Sequence, residues 1–151
     1  LIPPGLAHAV RSWDTTALTF EPTGQACDRF DFDGLLQPGH VIPMGDHTWE
    51  VHAARGHDPH SVVLFEPHHG VLISADALWE NGFGVVFPEL EGTEAFTEVA
   101  ATLDLIERLD PKIVIPGHQK IAPGKKALKH TLKLAREKYK GRKQDKKKAK
   151  H

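Results

Sequence analysis

The sequence has little cysteine, methionine or tyrosine: one of each among 151 residues. With Cys27 alone, neither an internal disulfide framework nor a cysteine-based zinc cage can form, and a reducing, cytoplasmic setting fits best. No apolar run approaches the ~18 residues a membrane span needs, so no membrane partner is expected. Leu1 to Val10 lack a basic stretch followed by an apolar run and do not read as a signal peptide. Internal repeats are absent. Charge of one sign is missing only on average. The net charge is −1, yet residues 1–119 carry a balance of −13 and residues 120–151 a balance of +12. Nine of the eleven histidines also lie before residue 120. An acidic, histidine-rich body is followed by a basic strip.

The body reads as strands first and helices later. Residues 1–39 are rich in Pro, Gly and Asp and read as loop, with one short strand near Leu18–Phe20. Val41–Met44 and His47–Ala54 flank Gly45-Asp46 and form a hairpin. In the second of these, Trp49, Val51 and Ala53 share one face, and Thr48, Glu50 and His52 the other. Ser61–Glu66 and Val71–Ala75, separated by Pro67-His68-His69-Gly70, form a second hairpin. Their nearly continuous apolar runs predict a sheet covered on both faces. After Gly92 the period becomes helical. Thr93 is the expected N-cap, Phe96, Val99, Ala100, Leu103 and Ile106 form the stripe, and Asp110-Pro111 ends it. Ile113–Ile115 is a short buried strand, and a second helix starts near Lys125 with Leu128, Leu132, Ala135 and Tyr139 on one face. Residues 141–151 are almost all charged or amide and read as a basic, disordered tail. The fold class is α/β (α+β), a sheet with helices packed on it.

Three polar residues share one context. His57, in Gly-His-Asp-Pro-His-Ser, follows the strand ending near Ala54. Asp76 follows the strand ending at Ala75, and His118, in Pro-Gly-His, follows Ile113–Ile115. Each buried strand delivers a potential ligand to the loop at its C-terminal end, where open sheets build their sites. Two imidazoles and a carboxylate suit Zn²⁺, and also Fe²⁺ or Mn²⁺. A carboxylate can bridge two ions, and a hydroxide held between two such ions is a nucleophile at neutral pH. Taken singly, each of these residues reads as an ordinary turn residue; the ordered series is what carries weight.

That series, from His47 to His118, resembles the C-terminal half of a metallo-β-lactamase-fold hydrolase of the glyoxalase II type. The resemblance implies an αββα sandwich of which residues 1–140 form the C-terminal portion. It implies two Zn²⁺ ions per complete site, one held by His57, the other by His118, with Asp76 bridging them as the catalytic ligand. The implied reaction is hydrolysis of an ester, thioester or related acyl bond of a small molecule by a metal-bound hydroxide. Ala75 stands where the family has Gly, and His60 where its loop has another Gly. The segment after Asp76 places Trp79, Asn81 and Phe83, with His60, as candidate substrate contacts; for Trp79 and Phe83 simple core packing is an equal reading. Val85-Val86-Phe87-Pro88 reads as packing. His52, His68 and His69 read as surface residues.

The family's HxHxDH signature, which supplies further ligands to both metals, occurs nowhere in the sequence. The chain is therefore expected to be a fragment whose partner is the N-terminal half of the same fold, and to be inactive alone. Two other readings stay open. One is a nucleic-acid-processing member of the superfamily that grips phosphates with its basic tail. Beyond Tyr139 that tail has no aromatic to stack a base, and a solvated helix face is the favoured reading. The other is a non-catalytic degenerate relative.

Overall fold

The computed structural model describes residues 1–84, 86 and 94–148, with side chains up to residue 140. The chain divides into two compact units, Leu1–Gln37 and Pro38–His151.

The first unit is built around Trp13. Helix α1 (Ala7–Ser12) ends there, with Trp13 in the left-handed region at φ 56° and its N–H on the carbonyls of Ala9 and Val10. The indole packs edge-on against Phe20 and Phe30 at 5.7 and 5.8 Å. The strand expected near Leu18–Phe20 is not formed. Instead the Asp14 carboxylate accepts the N–H groups of Thr16 and Ala17 at 3.1 and 3.0 Å, and the Leu18 N–H bonds the Asp14 carbonyl. An aspartate that captures the backbone locally in this way competes with strand pairing. The chain turns instead into the short helix α2 (Phe20–Thr23).

The second unit is a five-stranded sheet in the order β1-β2-β3-β4-β5. Its strands are β1 (Val41–Met44), β2 (His47–Ala53), β3 (Val62–Glu66), β4 (Val71–Ala75) and β5 (Ile113–Pro116). The first four pair antiparallel, β1–β2 and β3–β4 through tight hairpins and β2–β3 across the longer loop of residues 54–61. Gly45 (φ 59°) and Gly70 (φ 69°) supply the left-handed turn positions. β5 returns parallel to β4 after the crossover helix α3 (Ala95–Leu109). Glu94 stands at the N-cap of α3, and Thr93 lies outside the described residues. Asp110 closes α3 at φ 46°, with proline next in the chain, so the helix cannot continue. Helix α4 (Lys125–Lys148) follows, and its range takes in residues 141–148 of the basic tail.

Alternation along the strands sorts the two faces. Val63, Phe65, Leu72 and Val114 point to one side and join Val99, Leu103 and Ile106 of α3 and Leu128, Leu132 and Ala135 of α4 in a single core. Burying each Leu, Ile or Phe there contributes roughly 1.5–3 kcal/mol. Arg136 fastens α4 to α3, with its guanidinium on Asp104 at 2.8 Å and on Glu107. Its pKa is raised: partial burial pulls it down, but the two carboxylates outweigh that. On the opposite face of the sheet Ile113 and Ile115 are 44% and 49% exposed. The apolar runs predict cover on both faces; α3 and α4 cover one, so this unit forms a single β layer with a helical layer.

Candidate metal centre

Strand direction gathers the three candidate ligands. β2, β4 and β5 all run the same way, because β3 is antiparallel to both β2 and β4 and β5 is parallel to β4. Their C-terminal ends therefore lie along one edge of the layer. His57 sits in the loop after β2, Asp76 directly after β4, and His118 two residues after β5.

Asp76 is the centre of the group. Its Oδ2 lies 3.2 Å from His57 Nε2, and its Oδ1 lies 3.5 Å from His118 Nε2. Two ligands on one tetrahedral Zn²⁺, each bonded at ~2.0–2.1 Å, stand about 3.3 Å apart. Both spacings match that separation, and each imidazole faces a different carboxylate oxygen. Two imidazoles beside one carboxylate are donors of the kind that divalent ions accept.

Glycines make this approach possible. A Cβ on Gly117 would stand 2.7 Å from Asp76 Oδ1, and one on Gly84 would stand 2.7 Å from Cγ and Nδ1 of His57. The Gly84 N–H donates to the Asp76 carbonyl at 2.7 Å, and the Gly117 N–H to the Ala75 carbonyl at 2.8 Å. Ala75 lies at φ 45° and Gln119 at φ 61°, so a left-handed non-glycine residue adjoins each of two candidate ligands. Such conformations cost of order 1 kcal/mol or more and cluster at functional sites.

The candidate substrate contacts fall into three environments. Trp79 donates its indole N–H to Asp76 Oδ1 at 3.1 Å and packs edge-on against the His118 ring at 5.0 Å. It therefore touches two of the three candidate ligands. Phe83 is only 1% exposed and belongs to the core. His60 and Asn81 are exposed, and the His60 N–H is held by Asp58 Oδ1 at 2.6 Å. Val86 joins the core, while Val85, Phe87 and Pro88 lie outside the described residues. His52 pairs with Glu50 at 2.8 Å.

One group escapes sequence reasoning. His47, Glu66 and His69 have donor atoms that all lie within 4.8 Å of one another, and no other three His, Cys, Asp or Glu among the described residues converge so closely. Glu66 is 3% exposed. Its carboxylate accepts the backbone N–H groups of His68 and His69 at 3.1 and 2.7 Å and faces His69 Nδ1 at 3.0 Å. Burial pushes the Glu66 pKa up, but these hydrogen bonds and the nearby His69 charge outweigh it and hold the carboxyl below its ordinary 4.5. A carboxyl lowered in the folded state stabilises the fold fully above its unfolded pKa, and that contribution is lost as the pH falls through the lowered value. Urea midpoints of the metal-free chain are therefore expected to fall from about pH 4.5 downward. They should fall less steeply in Glu66→Gln; an unchanged acid limb in that variant would contradict the assignment.

A mixed sheet with helices on one face, whose strand ends set two imidazoles around one carboxylate, defines an α/β fold with a candidate metal centre. The metallo-beta-lactamase superfamily model matches residues 6–118, three quarters of the sequence, and the chain belongs to this superfamily, most of whose members are metal-dependent hydrolases. Solved structures share the fold. A beta-lactamase domain protein from Burkholderia ambifaria matches with TM-score 0.68 and 21% identity over 93% of this chain and 45% of its own. A metallo-beta-lactamase from Elizabethkingia meningoseptica matches with TM-score 0.61 and 14% identity over 93% and 60%. A rubredoxin oxygen:oxidoreductase from Desulfovibrio gigas matches with TM-score 0.53 and 17% identity over 85% and 36%. The chain spans about half the length of such structures. No curated protein matches it in sequence. No described helix is long and apolar enough to cross a membrane.

Proposed function

We propose that His57, Asp76 and His118 contribute to a two-metal centre that hydrolyses an ester, thioester or related acyl bond of a small molecule, in the manner of glyoxalase II. The observation that carries this reading is the Asp76 carboxylate, which offers one oxygen to each imidazole at 3.2 and 3.5 Å. Zn²⁺ is the ion proposed, and Fe²⁺ or Mn²⁺ would accept the same donors. When bound, a divalent ion there supplies a Lewis acid and lowers the pKa of water. Asp76 holds the negative charge between the two positions. The Trp79 indole N–H fixes the rotation of that carboxylate, and the edge of the Trp79 ring limits the swing of His118. His60 and Asn81, exposed beside this edge of the sheet, are proposed to contact the polar part of the substrate, while Phe83 supports the loop from within the core. The exposed thiol of Cys27 agrees with a reducing, cytoplasmic setting.

Three ligands spread over two metal positions are fewer than such sites use. The remaining ligands are proposed to come from the other half of the fold, which would also cover Ile113 and Ile115. Alone, the 151-residue chain is expected to bind metal weakly at this centre and to be inactive. The fold does not choose the chemistry, since an oxidoreductase shares it. The deciding assay uses the protein carrying the full ligand set, stripped and then reloaded with metal, on a simple thioester, an aryl ester and a phosphodiester. Metal-dependent cleavage of the acyl substrates alone is expected. Cleavage of the phosphodiester alone would replace this reading with the nucleic-acid one.

A further inference from the structure

The end of the sheet away from the candidate centre carries a second set of donors. Glu66 ends β3 and lies opposite Val71, the first residue of β4, whereas Asp76 follows the last. At ~3.3 Å per residue the length of β4 separates Glu66 from Asp76 by roughly 16 Å. His47 opens β2 beside the first hairpin turn, and His69 lies in the second. Residues 47, 49 and 51 of β2 and 64 and 66 of β3 alternate onto the same face, so His47 and Glu66 lie on one side of the layer.

We propose that His47, Glu66 and His69 form a separate site for a divalent transition metal, Zn²⁺ above all, that ties the β1–β2 hairpin to the β3–β4 hairpin. Their donor atoms lie within 4.8 Å of one another, and the His47 and His69 rings meet edge-on at 5.1 Å. Backbone N–H groups hold the Glu66 carboxylate in place, as outer contacts orient metal ligands. Capping the hairpin turn uses those backbone bonds. It does not account for two imidazoles converging on a buried carboxylate. Two imidazole nitrogens and one carboxylate oxygen match the preference of Zn²⁺, and both rings are exposed, so rotating them closes the remaining gap. The ring of His68, 4.6 Å from that of His69, is not part of the group. Lying at the opposite end from Asp76, the site has a structural role: an ion bound only by the folded chain stabilises it.

The test is made in the Asp76→Ala background, which disables the candidate centre. Equilibrium dialysis of the full chain against Zn²⁺ is expected to give one ion per chain, with a rise of about 4 °C or more in Tm. His47→Ala and His69→Ala, both at exposed positions, should each weaken binding about tenfold or more and abolish the rise, whereas His68→Ala should leave both intact. Ring proton resonances of His47 and His69 should shift on adding Zn²⁺. Binding that survives His47→Ala, or that is lost equally in His68→Ala, overturns the site.

Discussion

Asp76→Ala is expected to lower turnover by about a thousandfold or more in the protein carrying the full ligand set, equivalent to roughly 4 kcal/mol of the barrier. Both metal positions should lose occupancy together if, as proposed, one side chain serves both. His57 and His118 each face a different oxygen of Asp76, so removing the carboxylate leaves each imidazole without its shared counterpart. Asp76→Asn separates the two halves of this argument. An amide keeps one oxygen and replaces the other with a donor that cannot ligate. The Trp79 indole N–H donates to Oδ1, which favours placing the retained oxygen on the His118 side. The Asn variant should therefore keep one metal, by elemental analysis, and lose the one beside His57. Near-normal turnover in Asp76→Ala, or equal metal content in both variants, would refute the bridging role.

The strands of the second unit were legible because their ends are marked by chemistry. Gly45 and Gly70 need left-handed turns, and the apolar runs stop at them, so each predicted strand matches to within a residue. The positions of His57, Asp76 and His118 were legible for a related reason: each follows such a run. That the three converge is a consequence of β2, β4 and β5 running in one direction, which sequence order alone implies only once hairpins and a crossover are assumed. What local sequence does not reveal depends on tertiary register. His47 and Glu66 are nineteen positions apart and meet only because β2 pairs with β3 in one register; a shift of one residue would turn one of them to the other face. Phe83 read equally as pocket or core, since an aromatic between two glycines suits both. Its burial follows from packing that no local pattern encodes. Near residue 18 a β-favouring local sequence lost to the Asp14 carboxylate, a competition that propensity does not weigh. The superfamily match begins at residue 6, well before the stretch from His47 that carries the resemblance.

Gly56→Val is expected to be the most destabilising exchange near the centre, at about 3–5 kcal/mol, from the backbone strain and overpacking it combines. Gly56 lies at φ 131°. A Cβ there would overlap Cγ2 of Val99 and stand 2.8 and 2.9 Å from the Val99 backbone N and Cα. Helix α3 cannot yield at Val99 without moving its own hydrogen-bond ladder, and Thr102 of the same helix already holds the Arg55 carbonyl at 2.7 Å. The loop would have to lift away from α3, taking His57 with it. Against a total stability of about 5–15 kcal/mol, such a loss leaves a chain near its unfolding threshold. Gly124 provides the control. It has φ 101° and nothing within 4 Å of a Cβ, so Gly124→Ala meets strain alone. Urea unfolding of Gly56→Ala and Gly124→Ala should differ by about 1–3 kcal/mol, the packing cost against Val99. Equal losses would mean that the loop bearing His57 is not seated on α3. The glycine at position 56 would then be required by backbone conformation alone.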